Sequence, residues 1–408
     1  MSPNFLTGPV RIAVIMVDDR SSKARKSEYP LTTDGWNVHA MTYKQVVKNQ
    51  EPAASLVTEP GPVNTVKIAI DAMGGDLAPG VVIRGALGYL KENKDITIAL
   101  VGKAREIKRE FKKQRLEIPV NLEILNARDH VLMREHFWSY WRRREKTSIK
   151  KALDLVKTNQ AQAMISAGNT GAVMSIAKSV LGTLEQVERP ALALMIPTLK
   201  GHSLLVDVGA NVDSKPRNLV QFALMGKVYL ENVAGIKNPR IGLMSIGEEE
   251  ARGNELTKTT YNLLKSLDIN FAGNVEGRDV YSGATDLIVT DGFTGNVTLK
   301  VAEGVVDTLQ SMLQREIMSS LLAKIGFFFL KRSLRRIQKR MDYSEYGGAL
   351  LLGVKGIVII GHGGSNEKAI GSAIHMARTF VKENVLGKIS KEIERVQERF
   401  KVKELRYG

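Results

Sequence analysis

Two residues of the segment Asp207 to Lys215, which follows the apolar pair Leu205-Val206, are the strongest candidates for chemistry in this chain, Asn211 and Lys215. An asparagine amide donates in a fixed direction to a developing oxyanion, and lysine brings a compact charge to phosphate. His362 lies between Gly361 and Gly363, where its side chain can reach a ligand and act as a general acid, although a histidine in a glycine turn also serves as a hydrogen-bonding turn residue. In Gly168-Asn169-Thr170-Gly171 the backbone N–H groups open a helix near Ala172, which suits either an anion cradle or a tight turn with a helix cap. Asp207 and Asp213, which frame the Asn211 segment, Asp291 and Asn296, which flank a glycine loop, Asn274 and Glu276 in a similar setting, and Lys258 are candidates for binding phosphate or substrate. Arg142 and Lys146 belong to a cationic cluster that can grip phosphate or an acidic protein. Glu248, Glu249 and Glu250 point in different directions on any regular backbone, so a metal site is not expected; ion pairs with Lys258 or Lys215 are.

The elements that position these residues show a recurrence. Five apolar runs, ending at Asp76, Gly171, Asp213, Asn296 and Ser365, each break into a turn of Gly, Asn, Asp and small residues. A β-branched run that ends in glycines and then enters an amphipathic stretch is how a parallel strand hands its chain to a helix at the ligand edge of an α/β sheet. Five such edges predict one shared, anion-holding site. Strand-like and helix-length pieces alternate from Val66 onward, which argues for βαβ units around a mostly parallel sheet.

Seven segments in order from about Val66 to about Leu386 resemble the bacterial phosphate acyltransferase family. They are Asp71-Ala-Met-Gly-Gly-Asp76, Ser166-Ala-Gly-Asn-Thr-Gly-Ala172, Asp207-Val-Gly-Ala-Asn-Val-Asp213 with Lys215-Pro216, Ile246 to Lys258, Asn274-Val-Glu-Gly-Arg278, Thr290-Asp-Gly-Phe-Thr-Gly-Asn296 and Gly361-His-Gly-Gly-Ser365. The resemblance implies an α/β/α sandwich related to isopropylmalate dehydrogenases and phosphotransacetylases. It implies reversible transfer of a long-chain fatty acyl group from acyl carrier protein to inorganic phosphate, giving an acyl phosphate, with no cofactor and no metal. A homodimer and a downstream membrane glycerol-3-phosphate acyltransferase as partner are further implications. Such a reaction needs an anion cradle, oxyanion donors and an acyl slot, but no covalent intermediate. His362 would then protonate the leaving thiolate. The chain departs from the family pattern at Met133 to Ser148, where Phe137, Trp138, Tyr140 and Trp141 fill the middle.

With 408 residues the chain exceeds the ~250–300 at which one core stops growing, which predicts two packed subdomains. Residues 1–64, outside the resemblance and of linker composition from Glu51 to Pro62, read as a poorly ordered or spurious N-terminal extension, 65–388 as the catalytic domain and 389–408 as a charged C-terminal helix or tail. Within 307–342 a basic amphipathic element is expected. Leu330, Leu334, Ile337 and Met341 share one helical face and Arg332, Arg335, Arg336, Lys339 and Arg340 the other, preceded by Phe327-Phe328-Phe329. That pattern reads as a membrane-surface element over 321–341, set in anionic headgroups. A cytosolic protein bound peripherally to the inner face of the membrane is expected. The absence of cysteine excludes disulfides, thiolate metal sites and a cysteine nucleophile. The net charge of +16 predicts polyanionic partners, and basic nucleic-acid binding is the alternative from another class, with Phe137 to Arg144 as its aromatic and arginine-rich segment. A short-chain acyl-CoA phosphotransacetylase is the nearer rival, and an NAD-dependent dehydrogenase is disfavoured because no complete GxGxxG appears.

Overall fold

The computed structural model describes residues 65–320, 322–330, 332 and 347–407, with side chains described as far as residue 398. These residues belong to one compact unit, Pro62–Gly408. The apolar runs become strands β1 (Val66–Asp71), β2 (Ile96–Gly102), β3 (Leu122–Asn126), β4 (Ala163–Ser166), β5 (Ala191–Thr198), β6 (Gly201–Val206), β7 (Ile241–Met244), β8 (Phe271–Val275), β9 (Leu287–Val289), β10 (Ala349–Leu352) and β11 (Ile357–Ile360). Helices between them are α1 (Gly80–Glu92), α2 (Ala104–Lys113), α3 (Phe137–Arg143), α4 (Ser148–Lys157), α5 (Thr170–Leu181), α6 (Pro216–Asn232), α7 (Glu255–Lys265), α8 (Gly292–Ser319), α9 (Glu367–Lys382) and α10 (Val385–Tyr407). Most of the strands are buried along their length, which is why they read as continuous apolar runs.

All eleven strands form one sheet in the order β3-β2-β1-β4-β11-β10-β5-β6-β9-β7-β8. Strands β3, β2, β1, β4 and β11 run parallel to one another, as do β6, β9, β7 and β8. The three pairings between these blocks, β11–β10, β10–β5 and β5–β6, are antiparallel. The fold is the expected mostly parallel α/β sandwich. The expected division into two subdomains is corrected, because β10 and the β5–β6 hairpin join the blocks into one continuous sheet. An odd number of antiparallel steps also leaves the blocks running in opposite directions.

Two cores line the two faces. One packs Ile83, Phe222, Ile374 and Ile389 from α1, α6, α9 and α10; the other packs Leu153 of α4 and Ile176 of α5. Helix α10 runs through the boundary expected at 388/389. Its Val385, Ile389, Ile393 and Val396 are buried at helical spacing, so this segment closes the core as well as carrying charge.

Helix α9 is tied to the sheet by Asp95, which accepts from Arg378 at 2.6 Å and Lys382 at 2.7 Å. Lys382 and Arg378 hold the Asp95 carboxyl down at about 2, from an ordinary 3.8. A depressed folded value means that this contribution is present above the unfolded value and is lost as pH falls through the folded one. Asp95→Asn is therefore expected to lower Tm by about 1–3 °C at pH 7, since exposed pairs are weak. Thermal melts should show that gap closing between about pH 4 and pH 2, and narrowing in high salt.

Candidate active site

At the carboxyl edge of the first block, three turns meet. Asp71, buried at the end of β1, accepts from Ser166 Oγ at 2.7 Å and from Met73 N at 3.1 Å, while Ser166 Oγ accepts from Gly168 N at 3.1 Å. Burial pushes the Asp71 carboxyl up, against the pull of these donors. The turns after β1 and β4 touch so closely that a Cβ on Gly74 would stand 2.6 Å from Gly168 N. The third turn joins through Asp76 N, which donates to Gly363 O at 2.8 Å. On that turn, exposed His362 accepts from Gly364 N at Nδ1, 3.1 Å, which places the proton of a neutral ring on Nε2.

Asn169 combines the two readings of its turn. Its Oδ1 caps α5 by accepting from Ala172 N at 3.0 Å, and its Nδ2 donates to Met133 O at 2.9 Å. The cap uses one N–H of the turn and fixes the approach of Thr170 and Gly171. The aromatic segment after Met133 forms α3, with Phe137 stacked on Trp141 at 5.2 Å and Arg144 over Trp141 at 4.2 Å. Arg143 locks it, donating to Asp129 and to both oxygens of Glu135. Sequence reasoning missed this clamp because Asp129 and Glu135 precede the helix at no regular spacing. Arg142 and Lys146, named from the sequence, are exposed beside it.

The other candidates gather at the carboxyl edge of the second block. Asp207 is fully buried and its carboxylate accepts from the N–H groups of Leu192, Gly209, Ala210 and Asn211 and from Asn211 Nδ2, at 2.8–3.1 Å. This corrects its assignment as a phosphate-binding residue: an inward carboxylate with five donors organises the loop. Asn211 is also buried, and Nδ2 is committed to Pro190 O at 2.7 Å as well as to Asp207, so the amide buttresses the loop and does not reach an oxyanion in this conformation. Asp291 caps α8 by accepting from Thr294 N at 2.9 Å. Lys215 begins α6, exposed, and its backbone N–H is held by Asn218 Oδ1 at 2.9 Å. Asp213 is exposed just before Lys215, and Asn296 is exposed near the start of α8, its Oδ1 3.6 Å from where a Cβ on Gly209 would stand.

Asn274 donates to Glu249 O at 2.9 Å and Glu276 pairs with Arg278 at 2.9 Å. Glu248, Glu249 and Glu250 diverge as their adjacency requires, but to Arg278, Arg252 and Lys265, and not to Lys258 or Lys215 as expected. Lys258 stays exposed on the first turn of α7. No group of His, Asp or Glu suited to a metal occurs among the described residues.

The single shared site expected from five strand ends is therefore corrected to two clusters. His362 and the Gly168–Gly171 turn lie at one edge, Lys215 and Asn211 at the other, because the antiparallel steps reverse the second block. β11 and β6 stand three strand spacings apart, which with opposite ends puts the two clusters roughly 15–20 Å apart. Neither side chain spans that distance.

Glycine turns, helix N-termini and exposed cations at parallel strand ends are features with which α/β enzymes hold anionic groups. The architecture is shared with a phosphotransacetylase from Streptococcus pyogenes, at a TM-score of 0.51 and 17% identity over 78% of this chain and 94% of that one. A family model described as fatty acid synthesis protein matches residues 66–388. The phosphate acyltransferase of Geobacter sulfurreducens is 45% identical over 81% of this chain and 94% of its own length, and that of Desulfitobacterium hafniense (strain Y51) 47% over 81% and 98%. The chain belongs to the bacterial phosphate acyltransferase family and is an acyltransferase.

Proposed function

We propose that this enzyme transfers a long-chain fatty acyl group from acyl carrier protein to inorganic phosphate, as a homodimer at the inner membrane surface. The observation that carries the reading is the edge at Asp71, where the Gly74, Gly168–Gly171 and Gly363 turns meet beside His362, with Arg142 and Lys146 exposed on the segment that follows Met133, the partner of Asn169. Phosphate, partly dianionic near neutral pH, attacks the thioester carbonyl; the C–O bond forms, the C–S bond breaks, the His362 Nε2–H donates a hydrogen bond to the departing thiolate, and the proton that hydrogen phosphate gives up neutralises that thiolate. Lys215 supplies positive charge to phosphate, and Asn211 acts by holding the Asp207 to Lys215 loop.

Because Lys215 and His362 lie at opposite edges, one protomer cannot bring both to one substrate. A homodimer that faces one copy's edge to the other's would. An apolar stripe supports a second copy: Phe293, Val297, Val301, Val305, Leu309 and Leu313 recur along α8, each 42–61% exposed. Further along, Leu322, Ile325, Phe328, Phe329 and Leu330 are also exposed, which supports contact with lipid. Arg335 to Met341, the basic half of that expected element, lies outside the described residues. No helix among the described residues is long and apolar enough to cross a membrane.

The test is to incubate the full chain with long-chain acyl carrier protein and radiolabelled phosphate and to trap acyl phosphate with hydroxylamine. Carrier-dependent labelled product is expected. Product from acetyl-CoA alone would move the enzyme to the short-chain reaction; product from neither donor would sink the acyl-phosphate reading.

A further inference from the structure

Helix α2 carries an unusual surface. Arg105, Lys108, Arg109 and Lys112 are exposed at spacings i, i+3, i+4 and i+7, which places them in one solvent-facing stripe. Ile107 and Phe111 bury the opposite side against the core. The helix's own acids sit off the stripe: Glu106 pairs with Lys103 at 3.4 Å and Glu110 with Lys113 at 3.6 Å. None of the four stripe cations has an ion pair among the described residues, and Arg115 and Arg128, both exposed, extend the field without acidic partners there. Like charges four apart, 105 with 109 and 108 with 112, weaken a helix by about 0.2–0.5 kcal/mol per pair. The stripe therefore works against local stability, and folding does not explain it.

Its position explains it. The N-terminus of α2 sits at the same sheet edge as Asp71: Ala104 N donates to Asn126 Oδ1 at 3.1 Å, and a Cβ on Gly102 would meet Met73 at 2.7 Å. Arg128 leads directly into Asp129, which Arg143 clamps to the aromatic helix beside the Asn169 turn. The cationic face thus borders the glycine turns without entering them.

We infer that the Arg105–Lys112 face of α2, extended by Arg128, is the docking surface for the acidic carrier protein that delivers the acyl thioester. The inference rests on the carrier-dependent reading above and adds the place of contact. A rigid, acidic helical surface matches a straight row of four cations, whereas a flat bilayer would meet such a row only with the glycine turns pressed against lipid and closed to phosphate. Charge complementarity of this kind speeds encounter and is screened by salt.

The test is the double charge reversal Lys108→Glu with Arg109→Glu in the full chain, scored by hydroxylamine-trapped acyl phosphate. The KM for acyl carrier protein is expected to rise about tenfold or more and the wild type's salt sensitivity to flatten, with kcat and the KM for phosphate unchanged. The neutral pair Lys108→Gln with Arg109→Gln should give an intermediate rise, which separates charge from misfolding. An unchanged KM for the carrier overturns the docking surface while leaving the acyltransferase reading intact. So does loss of binding to anionic phosphatidylglycerol vesicles with carrier KM unaltered, which would make the stripe a membrane contact. A wild type that forms no acyl phosphate from the carrier overturns both.

Discussion

Lys215→Ala is expected to lower kcat/KM for phosphate by about 100-fold or more, comparable to removing one charge-stabilising donor from an acyl-transfer site. The lysine is exposed at the start of α6, has no ion partner among the described residues, and is presented by a loop that the buried Asp207 carboxylate pins through five hydrogen bonds. A cation carried on so constrained a loop meets an anion at lower entropic cost. His362→Ala should lose less, about tenfold, since a thiolate leaves readily and a hydrogen bond to it helps modestly. The two variants also test the arrangement. If the edges of two copies face each other, mixing Lys215→Ala with His362→Ala should give more activity than the mean of the two variants alone, because each mixed dimer carries one intact composite site. Full activity in Lys215→Ala would remove that lysine from the mechanism and confine the chemistry to the His362 edge.

Much of this was legible in the residues, for reasons that also mark where reading stops. Val66–Asp71 and Ile357–Ile360 announce themselves because a strand buried on both faces must be apolar throughout. Asn169, Asp291, Asn254 and Asn366 each open a helix, and cap chemistry is local, so a turn followed by a helix was readable at each. Direction was not. Alternation and apolarity are the same whether a strand runs up or down, and the reversal rests on a short hairpin around Leu199-Lys200-Gly201 whose sequence resembles any surface turn. For the same reason Asp207 looked like a ligand: which way a carboxylate points after a strand depends on five N–H groups from Leu192 to Asn211 that only the fold assembles. Arg143 stayed hidden among Arg142 and Arg144 because its distinction lies in the partners Asp129 and Glu135, brought to it by the turn before α3.

The largest effect on folding is expected from Gly295→Ala. Gly295 lies in the first turn of α8, where a Cβ would overlap the Asp207 carbonyl oxygen and stand 3.0 Å from the carbonyl carbon. Those are backbone atoms, so no side chain can rotate away. One turn earlier, Gly292 faces the same wall: a Cβ there would stand 2.5 Å from Asn211 O, the oxygen to which Gly292 N donates at 2.8 Å. The helix must therefore withdraw from the loop. Withdrawal would disturb the Asp291 cap and the exchange in which Asp207 N donates to Thr290 O at 3.0 Å and Thr290 N to Val206 O at 2.7 Å. Overpacking alone costs about 1–3 kcal/mol, and losing buried hydrogen bonds to a carboxylate adds to it, so a total of about 3–5 kcal/mol is expected. Alanine is otherwise the better helix former by about 1 kcal/mol, so an exposed helical glycine such as Gly304, with nothing within 4 Å of its added methyl, should be stabilised by the same change. Denaturant melts of the two variants make the contrast: Gly295→Ala should shift the midpoint far down and Gly304→Ala slightly up. Equal, small shifts would show that α8 yields easily at its start, and the loop holding Lys215 would then be softer than its hydrogen bonds imply.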